Sequence, residues 1–409
     1  MEKVLIVKVT DSDDKSACDS DINELKGLID TAGGKTAGVV IQKRREISPS
    51  YYIGKGRAES LSEEFPDVDL IVFDTELKPA QLGNLEEVTG KRVIDRTQLI
   101  LDIFAQRAHT AEGKLQVEYA QLSYLLPRLS GKGAEMSRLG GGIGTRGPGE
   151  TKLESDRRRI RQRILKIEGE LERVREIRAG QRKRRQGVPV PQAAIVGYTN
   201  AGKTMLLNRL TQAGKLSEDK LFATLDPKIK KYRLPGGYSV LFSDTVGFIK
   251  KLPTQLVAAF RATLEEVKEA DVLIHLIDAS EPGYEERKEA VVKILKEIGA
   301  YEEKEIMEVY NKSDLLQGRP KAKGIYISAK TGEGTEELIK KLEEAVEEGM
   351  TERDIFIERG KMKLLNMLYE EAAVVKRTDA AGGVKVRVKC HRKAFERFKK
   401  LFDKENLDG

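Results

Sequence analysis

Between Ala193 and Leu210 the chain reads AAIVGYTNAGKTMLLNRL. An apolar run, Ala193 to Val196, leads into eight residues spaced G-x-x-x-x-G-K-[ST], and a run with helical spacing follows. Only a strand–loop–helix unit lets those eight residues act together, so this stretch commits the chain to an α/β sheet. Consecutive backbone N–H groups of such a loop, unhindered at Gly197 and Gly202, can cradle phosphate oxygens, and the helix N-terminus adds positive potential. Lys203 is placed to reach the β- and γ-phosphates, and the Thr204 hydroxyl is placed to ligate Mg²⁺. The candidate phosphate-binding residues are therefore Gly197, Tyr198, Thr199, Asn200, Ala201, Gly202, Lys203 and Thr204. A second GKT, in TAGGKT from Thr31 to Thr36, is rejected. Ile29 stands where the first glycine belongs, and the segment ends a helical pattern instead of starting one.

Three more elements say which base goes with the phosphates. YSVLFSDTVGF puts Asp244 at the end of an apolar run and gives D-x-x-G, with Asp244 a water-mediated Mg²⁺ ligand and the Gly247 N–H a sensor of the γ-phosphate. EIMEVYNKSD ends in Asn311-Lys312-Ser313-Asp314. A carboxylate at Asp314 can accept from guanine N1–H and N2–H₂, a donor pair that adenine lacks, which favours GTP over ATP. GIYISAK then supplies Ser328, Ala329 and Lys330, whose backbone is expected to cap guanine O6. Thr224, in LFATLDPK, is the expected remaining Mg²⁺ and γ-phosphate contact; Thr211 follows the helix too closely. Phe248 stands where a glutamine often orients the attacking water, so no water-positioning group can be named and slow intrinsic turnover is expected. Asn200 is either a K⁺ ligand or simply a residue that suits the loop turn.

Charge adds a second theme. The net charge is +7, yet Arg157 to Arg185 alone holds 13 basic and 4 acidic residues, and the rest of the chain sums to a small negative value. Such a cluster suits a polyphosphate partner, nucleic acid above all, and reads otherwise as a solvated helix face. The candidate RNA contacts are Arg157, Arg158, Arg159 and Arg161, with Arg146 in the preceding loop. No run approaches the length of a membrane span. Two cysteines, Cys18 and Cys390, cannot build a disulfide framework, and the three histidines (His109, His275 and His391) are far apart, which disfavours a metal cluster and suits a reducing cytoplasm.

The remaining pattern gives the organisation. VLIVKV, AGVVIQK, LIVFD and RVID read as strands and Asp21 to Gly34 as a helix with an Asp cap, so residues 1–110 form a small α/β subdomain with a largely parallel sheet. Leu115, Tyr119, Leu122, Leu126 and Leu129 form one stripe, and Leu153, Ile160, Ile164, Ile167, Leu171 and Val174 a second. Residues 111–187 are therefore expected to form an antiparallel helical hairpin that buries both stripes. Its tip, Gly131 to Glu150, has eight glycines and no period, and suits a probe for RNA or a linker. Gln181 to Pro191 reads as the connection to a nucleotide-binding domain at 188–349. A small α+β domain at 350–409 reads helix, strand, helix, with Lys385 to Lys389 its clearest strand.

Taken together, GYTNAGKT, FATLDP, DTVGFI, NKSD and GGGIGTRGPGE before a basic helix, with LPTQLVAAFRATLEE and YYIGKGR, resemble the HflX family of translational GTPases. Met205 departs from the Ser or Thr common after G-K-T, at a position that usually packs. The resemblance implies a P-loop GTPase domain between an N-terminal α/β subdomain with a helical hairpin and a C-terminal domain. It also implies GTP-dependent binding to the large ribosomal subunit and its RNA, and a role in ribosome splitting, rescue or recycling by a cytoplasmic monomer, with peripheral ribosome or membrane association. A GTP-dependent RNA-binding or assembly module with negligible turnover is the alternative.

Overall fold

In the computed structural model the described residues are 1–11, 15–129, 148–185, 190–211, 221–222, 228–250, 261–316, 323–348, 350–361, 365–366, 368–369 and 372–391. Thr224, Arg146 and the glycine-rich tip as far as residue 147 lie outside them. The chain forms two compact units. One holds Met1–Val174 with Lys220–Leu225 and Lys251–Arg261; the other holds the rest.

The first unit is built on four parallel strands, β1 (Lys3–Thr10), β2 (Lys35–Lys43), β3 (Leu70–Phe73) and β4 (Arg92–Asp95), in the order β2-β1-β3-β4. Val4 to Val7 and all of β3 are buried, as expected for central strands covered on both faces. Helix α1 (Lys15–Thr31) begins well before the expected cap at Asp21. That carboxylate instead accepts from Lys8 Nζ at 2.6 Å, while Asp74 takes a second Lys8 bond at 3.1 Å and one from Arg96 at 2.7 Å. Burial alone would lower the Lys8 pKa, but these two carboxylates raise it, so the ammonium stays charged. The helix ends at Gly33, φ 89°, so TAGGKT is a helix stop.

Helices α2 (Lys55–Glu64), α3 (Pro79–Thr89) and α4 (Arg96–Arg107) complete the layers. Asp95 caps α4 by accepting from the Gln98 N–H at 2.9 Å. The hairpin helices are α5 (Ala111–Arg128) and α6 (Pro148–Arg185). Arg163 forks onto Glu118 at 2.6 and 2.7 Å, and Tyr119 reaches Glu168. The α6 stripe is covered only in part: Ile167 is fully buried, Ile160, Ile164, Leu171 and Val174 are half-buried, and Leu165 and Ile177 lie outside it. On α5 the sequence misleads. Gly113, Gln116, Val117, Ala120 and Tyr124 are the buried face, while the leucine stripe is only half-buried. Small residues let α5 lie close to α4, and small residues carry little hydrophobic signal. The expected linker at Gln181 also needs correction, since α6 continues to Arg185. Within this unit Phe222 is buried edge-on against Phe104, ring centres 4.6 Å apart, and Leu221 lies against Gly27.

The second unit carries a six-stranded sheet, β10-β9-β8-β5-β7-β6, formed by β5 (Gln192–Gly197), β6 (Lys228–Arg233), β7 (Ser239–Asp244), β8 (Val272–Asp278), β9 (Glu305–Asn311) and β10 (Ile325–Tyr326). All pairs are parallel except β6 with β7. Helices α7 (Lys203–Leu210), α8 (Arg261–Glu269), α9 (Tyr284–Glu297) and α10 (Thr335–Glu348) belong with it. The chain order reverses about β5, and in such sheets ligands bind at the carboxyl ends of the strands beside that reversal.

His275, in the middle of β8, is 1% exposed and its Nδ1 has no hydrogen-bond partner among the described residues. Burial pushes its pKa down to about 4, against an opposing pull from Glu308. The folded value lies below the unfolded one, so neutral His275 supports the fold above about pH 6.5 and that support fades as pH falls towards 4. Acid melting should show it: the wild-type Tm falls across this window by the equivalent of about 3 kcal/mol more than that of His275→Leu. Parallel Tm profiles for the two proteins would remove the assignment.

The C-terminal region differs from expectation. It is an antiparallel sheet, β11-β13-β12, of β11 (Met350–Glu358), β12 (Ala373–Ala380) and β13 (Gly383–His391). The segment expected to open as a helix is strand β11. Lys385 to Lys389 does lie in the expected strand, whose Val384, Val386 and Val388 enter the local core. The expected last helix falls outside the described residues.

Candidate functional site

The loop between β5 and α7 takes its shape from its glycines. A Cβ at Gly197 would lie 2.3 Å from the Leu276 carbonyl oxygen, where β5 pairs with β8. Gly202 has φ 93° and a Cβ there would lie 2.3 Å from Asn311 Nδ2. Both positions exclude any side chain. Asn200 sits at φ 61°, a conformation that asparagine tolerates better than most residues and that is compatible with either expected role. Lys203 is buried under the loop, and its ammonium donates to the carbonyls of Gly197 (3.1 Å) and Tyr198 (2.7 Å). Burial lowers its pKa to about 8, with Asp244 pulling the other way.

Asp244 ends β7, fully buried, and accepts from the Thr204 hydroxyl at 2.7 Å. A hydroxyl and a carboxylate oxygen converging beside a phosphate loop form a hard donor set that fits Mg²⁺. Gly247 packs against the loop so closely that a Cβ would lie 2.8 Å from Thr199 Cα. The next residue, Phe248, is buried and tied to the loop through its backbone. Its N–H donates to the Gly197 carbonyl (3.1 Å) and its carbonyl accepts from the Thr199 N–H (2.7 Å). The side chain at the expected water-orienting position is thus both apolar and sequestered.

The elements expected to read the base meet at the same end of the sheet. Asn311, at the end of β9, donates from Nδ2 to the Ala201 carbonyl (2.7 Å) and accepts at Oδ1 from the Ala329 N–H (2.9 Å). Lys312 pairs with Asp278 at 2.7 Å, and the Asp314 carboxylate is exposed just beyond. Ser328 is fully buried, and its hydroxyl accepts from the Thr331 N–H. The structure therefore brings together Gly197 to Thr204, Asp244, Gly247, Phe248, Asn311, Lys312, Asp314 and Ser328 to Lys330. Thr211 closes α7 with a hydroxyl bond to the Leu207 carbonyl, consistent with its rejection. Arg158, Arg159 and Arg161 are exposed on α6 and Arg157 is half-buried. The sequence did not announce Asp278 as the partner of Lys312, although β8 ends in an aspartate after an apolar run as β7 does. Nor did it announce that the Tyr198 hydroxyl accepts from the Lys250 N–H at 2.7 Å, binding the loop to the segment after D-x-x-G.

Comparison with known proteins bears on the whole chain. Residues 19–105 match the family model for a GTP-binding GTPase N-terminal region, 107–185 its middle region, 192–312 a 50S ribosome-binding GTPase and 316–404 the HflX C-terminal domain. GTPase HflX of Caldanaerobacter subterraneus subsp. tengcongensis is 47% identical over 390 residues, covering 94% of this chain and 90% of the relative. The chain belongs to the HflX family. GTPase HflX of Alkalihalophilus pseudofirmus is 52% identical over 316 residues, 77% of this chain and 74% of the relative. The Escherichia coli HflX is 40% identical over 386 residues, 92% and 90% of the two chains. This HflX protein is accordingly a GTPase with the α/β P-loop fold, flanked by N- and C-terminal domains. No described helix is long and apolar enough to cross a membrane.

Proposed function

We propose that this GTPase is a nucleotide-controlled switch that acts on the large ribosomal subunit. The observation that carries the reading is Phe248, an apolar, buried side chain that stands where a water-orienting group is expected. An enzyme built this way turns over slowly alone and gains rate when a partner completes the site. Lys203 and the loop N–H groups hold the phosphates, Asp314 accepts from guanine, and Thr204 and Asp244 hold Mg²⁺, with Thr224 as the further contact. Mg²⁺ bound there supplies positive charge to the β- and γ-phosphate oxygens. The reading does not depend on whether Asn200 also holds K⁺.

Arg157, Arg158, Arg159 and Arg161, with Arg146, are the proposed contacts to ribosomal RNA. The 50S ribosome-binding description of the matched family supports that partner, as does the basic excess of α6. The same reading divides the chain at 110, 187 and 349.

The test is GTP turnover with and without purified large ribosomal subunits. We expect stimulation of roughly a hundredfold or more, the scale seen when a partner completes a GTPase site. Tight GTP binding with no stimulation would overturn the switch and leave a GTP-dependent RNA-binding or assembly module.

A further inference from the structure

The loop from Ser328 to Gly334 is stiffened from within. The Gly332 N–H donates to the Ser328 carbonyl (2.7 Å), the Ser328 N–H to the Glu333 carbonyl (3.0 Å) and the Thr331 N–H to the Ser328 hydroxyl (3.1 Å). Such a loop moves as one piece, so its external ties decide where it points. One tie is Asn311, whose side chain joins the Ala329 N–H to the Ala201 carbonyl of the phosphate loop. A second comes from Arg209, in the last turn of α7. Its Nη2 donates to the Lys330 carbonyl at 2.6 Å, and its guanidinium lies against Gly332, where a Cβ would sit 3.3–3.4 Å from Nε, Cζ and Nη2. Gly332 has φ +94°, so the position suits glycine on two counts. Both ties lead back to phosphate-binding structure. Asn311 ends on the loop, and Arg209 ends on the helix that begins with Lys203 and Thr204.

We infer that Arg209 is a positioning residue for guanine discrimination: it fixes the Ser328–Lys330 backbone relative to the phosphate seat. This rests on the proposed assignment of that backbone to guanine O6. Arg209 is assigned no direct contact to the nucleotide. It acts through the Lys330 carbonyl, and its planar fork combines a charge-assisted bond with face contact on Gly332. Without it the stiff loop keeps the Asn311 tie but loses the one to α7, and part of the binding energy for O6 goes into reorienting it. The phosphate contacts and the Asp314 contact to N2–H₂ do not depend on this tie.

The experiment uses the full-length chain and its Arg209→Ala and Arg209→Lys variants, titrated calorimetrically with GDP, IDP and 2-aminopurine riboside 5′-diphosphate. IDP keeps O6 and N1–H and lacks the 2-amino group; the aminopurine keeps the 2-amino group and lacks O6 together with the N1–H proton, so the comparison is read between wild type and variant for each ligand. We expect Arg209→Ala to weaken GDP and IDP by about five- to tenfold, the scale of one lost hydrogen bond, and the aminopurine by less than about twofold. Arg209→Lys, which keeps a donor, should recover part of the loss. Equal weakening of all three ligands would mean general support of the fold and overturn the inference, as would no change in any of them. Equal affinity of the wild-type protein for GDP and the aminopurine would overturn the O6 assignment itself, and the role of Arg209 with it. That outcome is visible in the wild type alone.

Discussion

Lys203→Ala should reduce affinity for both GTP and GDP by roughly a hundredfold to a thousandfold, equivalent to about 3–4 kcal/mol. The side chain is buried, its ammonium is aimed under the phosphate loop, and among the described residues two carbonyls accept from it. Bound phosphate would supply a direct anionic acceptor to this desolvated cation, so charge-assisted bonds at that point are strong. The substitution removes a buried charge, so the nucleotide-free protein should keep its Tm to within a few degrees. Calorimetric titration of wild type and variant with GDP, beside a melting curve of each, makes the check. Unchanged affinity in a folded variant would mean that the phosphates bind elsewhere.

The second large effect concerns the base. Asp314→Asn should exchange guanine for xanthine. The carboxylate can only accept, which suits guanine N1–H and N2–H₂. A carboxamide presents one donor and one acceptor, which suits xanthine, where an oxygen replaces the 2-amino group. Sites that pair a polar group directly reject the mismatched analogue by large factors. The ratio of XDP to GDP affinity should therefore swing by about 10³. Asp314 is exposed in the middle of a short turn and lies outside the core, so the fold is not at stake. A variant that still prefers GDP would show that another group reads the 2-amino position.

The legibility of the sequence follows how tightly chemistry ties residue type to position. At the phosphate loop the tie is strict. Gly202 must accept φ 93° and leave room for Asn311, and Asp244 must end a buried strand beside Thr204. The motif is a record of those demands, so it could be read without a structure. The decoy TAGGKT failed for the same reason, because its glycine serves a helix stop.

Elsewhere the tie loosens. Asp21 has the residue type of a helix cap but is drawn into a buried ion pair with Lys8, a partner distant in the chain. Helix α5 packs through Gly113 and Ala120, whose small size is their contribution and whose hydrophobicity is slight. Strand β11, MTERDIFIE, shows its alternation only at Ile355 and Ile357, the two residues that enter the core. Its charged neighbours gave a helical impression that pairing with β13 overrides. Arg209 was invisible for another reason. Its role depends on a carbonyl more than a hundred residues away, and any residue type can supply a carbonyl.

The placement of Phe222 has a practical consequence for dissecting this protein. The aromatic ring packs with Phe104 in the compact unit that contains the first 174 residues, although it lies in sequence between α7 and β6. A fragment cut at 188 and 349 carries Phe222 and Leu221 away from Phe104 and Gly27, and turns a buried aromatic into exposed surface. Such a fragment acquires a sticky patch and loses an anchor two residues from Thr224. Its solubility and nucleotide kinetics would describe an amputated molecule, so deletion series meant to apportion activity among segments call for a Phe222→Ser control in the full-length chain.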